Sequence, residues 1–433
     1  MKNISVALIR RLATMLICAM AAAVCGGTRT LAVVQSIGFK VSSEYVYGDR
    51  LAFRLESVDP RPIAEARLVV EKQNAGVVYS EIQPAISGSD IFLAVVSVQS
   101  LTLGPFGHLN YHWGVTYADG EVANSEILSL IYEDTSVPWT WTATRQNNIV
   151  AHSDGRDPSL DAYTISAAND GLGRSLQLLG SVDLPVEIDI YVYPDLGSMA
   201  AGLRLHRERV QDWVAAYALP DQAIVVASYS NSPDGLSRLQ GDIRHEISHL
   251  ITYNMSGQGT QDLPGWLNEG IALNISGDET LTTVLDQGID RGVLLSMETL
   301  CVPRFNSLPP HDAALAYAQS ENFVAYLVKR YGASQVRALV AVYRDQRSCD
   351  EGVQLALGVP LSDLENQWHA DVSTKMTPAT TDSGDMLPWV LAWVASVGVA
   401  GFFIMPTARR KPSLSDNATV RSTDLPSSSG KSS

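Results

Sequence analysis

From about Val33 to Asp134 apolar and polar residues alternate in short runs. Phe39-Lys40-Val41, Leu51 to Leu55, Ala66 to Val70, Ile91 to Val95 and Leu109 to Val115 each show the two-residue period of a strand with one buried face. Turn signals divide them, among them Asp59-Pro60, Ser87-Gly88-Ser89-Asp90 and Ala118-Asp119-Gly120. Short strands at this spacing predict a small β-sandwich, immunoglobulin-like in scale, over residues 33–138. A spacer or accessory role is the default for such a module.

Past Trp139 the period lengthens. Helices are predicted over Pro158–Leu179, Met199–Tyr217, Leu236–Met255, Ala313–Tyr331, Ser334–Tyr343 and Leu361–Val372, and strands over Val186–Tyr193 and Ala223–Ala227. In the third helix Leu236, Leu239, Ile243, Ile247, Leu250 and Ile251 share one face at 3.6-residue spacing. Residues 139–375 therefore read as an α+β body that finishes all-helical.

Two apolar runs carry a different message. Leu12 to Val24 follows Lys2, Arg10 and Arg11, the pattern of a secretory signal within residues 1–32. Leu387 to Met405 is uncharged for 19 residues and is followed by Arg409-Arg410-Lys411. That predicts one transmembrane helix over 387–405, after a linker at 376–386 and before a cytoplasmic tail at 406–433. The expected placement is the cell membrane, single-pass type I, with the folded body outside the cytoplasm. Cys301 and Cys349 are the cysteines of that body, and an oxidising compartment permits a disulfide between them. Sequence separation does not decide whether they pair.

The charge is uneven. The net value is −15, but residues 1–32 carry +4 and residues 406–433 carry +3, which leaves −22 between them. An acidic body of this kind excludes nucleic acid as a partner.

The chemistry concentrates in His245-Glu246-Ile247-Ser248-His249, within the predicted helix 236–255. Histidines at i and i+4 lie on one helical face, so both imidazoles can reach one metal, with Glu246 beside the first. A zinc site of this kind takes a third protein ligand and leaves a position for water. Glu269, in Pro264-Gly265-Trp266-Leu267-Asn268-Glu269-Gly270-Ile271-Ala272, supplies it. Val225–Ala227 is expected to be an edge strand along which an extended peptide lies. His108 and His112 share a strand face without a third ligand, and His152, His206, His311 and His369 show no ligand spacing.

His245 to His249 followed by Trp266-Leu267-Asn268-Glu269-Gly270 resembles the gluzincin peptidases, closer to the peptidase MA-like group related to aminopeptidase N than to thermolysin. The resemblance covers about residues 140–375. It implies a zincin-like metallopeptidase domain, with zinc held by His245, His249 and Glu269 and with Glu246 as general base. Related enzymes use a Tyr or His from the later helices to stabilise the oxyanion, which makes Tyr317 the candidate and His311 the second. Two features depart from the family. No Gly-x-Met-Glu-Asn segment is present, which argues against an aminopeptidase, and Leu273 stands where thermolysin-like enzymes place a carboxylate that orients a zinc histidine.

The expectation is a membrane-anchored zinc endopeptidase acting on peptide or protein substrates. The competing reading is a non-catalytic cell-surface binding module on a peptidase fold.

Overall fold

The computed structural model describes residues 28–374 except 31–33, 37, 74–75, 87–88, 183–186, 207–213, 258–262, 278–280 and 306–307. All of them fall within one compact unit, Met1–Asp382. Ten strands come first: β1 (Thr28–Thr30), β2 (Val34–Ser36), β3 (Phe39–Val46), β4 (Arg50–Ser57), β5 (Ile63–Lys72), β6 (Gly76–Gln83), β7 (Ile91–Ser97), β8 (His108–Tyr117), β9 (Val122–Asn124) and β10 (Leu128–Ile131). They form two antiparallel five-stranded sheets. One runs β1-β3-β4-β7 with β2 also on β3, and the other runs β10-β8-β5-β6 with β9 also on β8. Alternate residues of β3, β4, β5 and β8 enter a shared core around Phe53, Leu68 and Trp113, all fully buried.

A third five-stranded sheet follows, in the order β11-β12-β13-β15-β14. Its strands are β11 (Thr142–Gln146), β12 (Ile149–Ser153), β13 (Ile188–Tyr193), β14 (Ala216–Leu219) and β15 (Ile224–Ser228). β12, β13 and β15 run parallel, and β11 and β14 are antiparallel edges. Helix α1 (Pro158–Leu179) connects β12 to β13, with the Asp157 carboxylate capping its first turn. After it come α2 (Leu196–Leu205), α3 (Gly235–Met255), α4 (Gly265–Ser276), α5 (Thr282–Arg291), α6 (Pro310–Tyr331), α7 (Ala333–Val342), α8 (Cys349–Leu357) and α9 (Leu361–Thr374).

Both faces of the third sheet are covered, which is why β13 is buried at every position. Ile188, Ile190, Val192 and Val225 face α1 and α3, where they meet Ile165, Leu239, Ile243, Ile247 and Leu250. Tyr191, Tyr193, Ile224 and Val226 face the other way, toward Met199 and Leu203 of α2 and toward Phe106 of the sandwich. The Phe106 ring stacks on Tyr191 with centroids 3.7 Å apart, and the Tyr193 hydroxyl donates to Asp134 at 2.7 Å. His152 and Asp189, both buried, bond at 2.7 Å in the same region. The helices α4 and α6 to α9 enclose a separate core around Trp266, Phe323 and Trp368. Cys301 and Cys349 form a disulfide that ties the segment before α6 to the start of α8.

Three expectations need correction. The helix expected over Met199–Tyr217 ends at Leu205, and Tyr217 lies on strand β14. Val225–Ala227 belong to β15, which is paired on both sides, so the edge is β14. An unbroken apolar run is the mark of an interior strand, since both of its faces are buried.

The third correction concerns the membrane. Among the described residues no helix is long and apolar enough to cross one. The long helices α1, α3 and α6 have the length to span a bilayer, but each carries charged residues along its sequence. The segment 387–405 lies outside the described residues. The fold class is therefore an N-terminal β-rich region followed by a helical domain, without support for a transmembrane helix or for single-pass type I anchoring. The signal segment also finds no support: residues 1–27 lie outside the described ones, and Thr28–Thr30 pair with β3.

Candidate metal centre

Helix α3 divides its residues by direction. Leu239, Ile243, Ile247 and Leu250 bury against the sheet, each contributing about 1.5–3 kcal/mol by leaving water. His245 and His249, four residues apart, lie on another side with α4 as neighbour. Glu269 on α4 completes the group: one donor atom from each of the three residues lies within 4.8 Å of the others. Glu269 Oε2 is 3.3 Å from His245 Nε2 and 3.7 Å from His249 Nε2. The two imidazole rings are nearly perpendicular, at 83°. These side chains keep 13–19% of their surface exposed.

Close helix contacts hold the ligands in place. A Cβ on Gly171 of α1 would come within 2.9 Å of the Arg244 Cα, next to His245. A Cβ on Gly270 of α4 would come within 2.4 Å of the Ser320 carbonyl oxygen on α6, next to Glu269. Arg244 itself pairs with Asp170 of α1 and donates to the Ser276 carbonyl at the end of α4 at 3.3 Å.

Asn268 supplies what Leu273 does not. Its amide oxygen lies 3.2 Å from His249 Nδ1 and accepts from the Thr252 hydroxyl at 3.2 Å. With Nδ1 donating, Nε2 keeps its lone pair on the Glu269 side. Leu273 instead packs into the helical core. The signal was present in sequence, one residue before Glu269, but the side chain of Asn268 can be placed only once α3 and α4 are seen to cross.

The local charges divide the two histidines. Burial holds His249 down to about 4, against the pull of Glu269. Burial also opposes charge on His245, but the Glu269 hydrogen bond and the charges of Glu246, Glu269 and Asp242 together raise it to about 9. Glu269 is held below its usual range because its two imidazole neighbours and Arg304 outweigh its burial. Burial pushes Glu246 up to about 7, helped by Glu269 and Asp242 and opposed by His245.

Tyr317 of α6 stands in the field of Glu269 and Glu246, whose charges, with burial, raise its hydroxyl well above the ordinary tyrosine value. Its ring packs edge-on to Phe305 at 5.2 Å. His311 is not brought to the centre; its side chain is 66% exposed beside Asp312 on the first turn of α6. Neither the pair His108 and His112 nor any other group of His, Cys, Asp and Glu matches the three-residue cluster among the described residues.

Residues 167–374 match the family model of the Peptidase MA superfamily. That stretch contains His245, Glu246, His249, Glu269 and Tyr317, and the Peptidase MA match supports a gluzincin-like, zinc-peptidase-like fold. Two solved structures are similar to the chain. Native yeast LTA4 hydrolase is 10% identical, over 82% of this chain and 68% of that one, with a TM-score of 0.33. A Br derivative of BhCBM56 is 9% identical, over 23% of this chain and 97% of that one, with a TM-score of 0.19. Neither likeness bears on the chemistry. No curated protein matches the chain.

Proposed function

We propose that this protein is a zinc-dependent metallopeptidase that hydrolyses internal peptide bonds, with His245, His249 and Glu269 as ligands. The observation that carries the reading is the convergence of two imidazole nitrogens and a carboxylate oxygen within 4.8 Å, with the buried Glu246 on the same helix. Two nitrogens and one oxygen suit tetrahedral zinc with one position open, and Asn268 beside His249 suits a ligating tautomer. Zinc bound there supplies a Lewis acid that acidifies water and polarises a carbonyl.

The remaining roles belong to the chain. Glu246, with a proton affinity near neutrality, accepts a proton from the attacking water and passes it to the leaving amine. Tyr317 stays protonated beside two carboxylates and donates a hydrogen bond to the developing oxyanion. The Peptidase MA match supports peptide as substrate. The lack of a Gly-x-Met-Glu-Asn segment supports cleavage within chains rather than at a free amine.

The test compares the protein with Glu246→Gln for zinc content and for cleavage of casein. Stoichiometric zinc in both, with cleavage only by the unaltered chain, is the expected result. Equal cleavage by both would remove Glu246 from the reaction. Zinc in neither would remove the metal site and favour a binding module.

A further inference from the structure

A short strap, residues 301–305, lies against the start of α4 and ends on Tyr317. Cys301 is its first anchor, through the disulfide to Cys349 of α8. The Val302 carbonyl then accepts from the Gly265 N–H at 2.9 Å. Pro303 and Arg304 follow, both exposed. Phe305 turns inward and is only 1% exposed, and its carbonyl accepts from the Leu308 N–H at 3.0 Å. The strap fits tightly on α4: a Cβ on Gly265 would come within 2.4 Å of the Val302 carbonyl oxygen and 2.9 Å of Phe305 Cε1. Pro303, whose ring fixes one backbone angle, stiffens the strap between these anchors.

Phe305 meets Tyr317 edge to face, with centroids 5.2 Å apart and planes at 85°. Tyr317 lies one turn before Ser320 on α6, and it is the Ser320 carbonyl that Gly270 approaches beside Glu269. The ring therefore stands where the ligand-bearing helix meets α6. Among the described residues the Tyr317 hydroxyl has no hydrogen bond, so packing directs the ring. An edge-to-face pair constrains the tilt of a ring as well as its distance, which an aliphatic neighbour does not.

We propose that Phe305 is a positioning residue: held on α4 by the strap, it sets the Tyr317 ring so that the hydroxyl points at the metal centre. This rests on the metallopeptidase reading for the role of the hydroxyl, and not for the packing. A donor aimed at charge that develops in the reaction acts in the transition state, so a misdirected one lowers kcat more than it raises KM. Losing such a donor outright costs about 100- to 1,000-fold in kcat, and misdirection costs a part of that.

The experiment uses Phe305→Leu, Pro303→Gly, Tyr317→Phe and the double variant Phe305→Leu/Tyr317→Phe in the full chain. Zinc content, kcat and KM on one peptide are measured for each. Pro303 is exposed, so its variant folds even if the buried Phe305→Leu does not. With 3-fluorotyrosine placed at position 317 alone, fluorine NMR reads the ring directly, and Pro303→Gly leaves both rings present. The expected result is unchanged zinc, with kcat lowered on the order of 10-fold by Phe305→Leu, less by Pro303→Gly, and KM little changed. The fluorine resonance of Pro303→Gly should move toward that of an exposed tyrosine. The double variant should be no slower than Tyr317→Phe, because Phe305 acts through that hydroxyl. Multiplied losses in the double variant overturn the proposal, and so does an unmoved resonance. If the unaltered chain cleaves no peptide, the metallopeptidase reading fails and the fluorine measurement alone decides whether the strap holds the ring.

Discussion

His249 donates from Nδ1 to the side-chain oxygen of Asn268 across 3.2 Å, and Asn268 immediately precedes Glu269 on α4. One turn of one helix therefore carries both a candidate ligand and the group that orients another. Replacing Asn268 with Ala leaves the His249 ring free to turn and removes the preference for the ligating tautomer. Metal affinity should fall about 10- to 100-fold, as for other partners of metal-bound histidines. Competition against a zinc chelator reads this directly, and an unchanged affinity would mean that Asn268 has no part in holding the ring.

Gly270 tests how closely α4 must approach α6. A helix gains up to about 1 kcal/mol when an interior glycine becomes alanine. Here the new Cβ would sit 2.4 Å from the Ser320 carbonyl oxygen and 2.6 Å from Val324 Cγ2. Backbone cannot move aside cheaply, and overpacking of this kind costs about 1–3 kcal/mol. The clash outweighs the propensity, so Gly270→Ala should lower the melting temperature and also weaken metal binding through Glu269. A rise in melting temperature would contradict the packing described.

The disulfide should matter for stability. Cys301 and Cys349 are 48 residues apart, and closing a loop of that length is worth about 4 kcal/mol in the chain-entropy account. Trp266, at the start of α4, donates its indole N–H toward Cys349 Sγ at 3.3 Å, so the bridge also abuts the ligand-bearing helix. The double variant Cys301→Ala/Cys349→Ala should unfold at a clearly lower urea concentration. Coincident unfolding curves would show that the cross-link contributes nothing.

His206 should make stability fall in acid. It lies between Tyr47 and Tyr132, and burial lowers its pKa to about 4. The unfolded histidine titrates near 6.5. Between those values the unfolded chain binds the extra proton, so stability is lost as pH falls from about 6.5 toward 4. The loss is about 1–3 kcal/mol for this residue. His206→Phe keeps the aromatic contacts and removes the proton site, so its urea midpoint should drop less between pH 7 and pH 4.5. Parallel losses in the two proteins would clear His206 of the effect.

What could be read from sequence follows from what is local. His245, Glu246 and His249 sit on one helix, and the 3.6-residue period of α3 is sufficient to place them together. Glu269 was legible because its flanking residues are distinctive. β14 was not: Ala216-Tyr217-Ala218-Leu219 has no alternation, and its alanines and leucine favour a helix as readily as a strand. Its identity depends on pairing with β15, a tertiary fact. The ion pair of Lys72 with Asp221 spans 149 residues and leaves no local trace.

At Gly171 and Gly270 the main chain of one helix comes so close to the main chain of the next that even a Cβ would not fit. Side chains can be exchanged for others of similar volume, and a family of sequences can drift in that way while keeping its cores filled. A close approach of main chain to main chain offers no such exchange. The spacing of the three candidate ligands is thereby removed from the part of the sequence that is free to vary. Any redesign of this centre for a larger ion would have to begin at these two glycines rather than at the ligands.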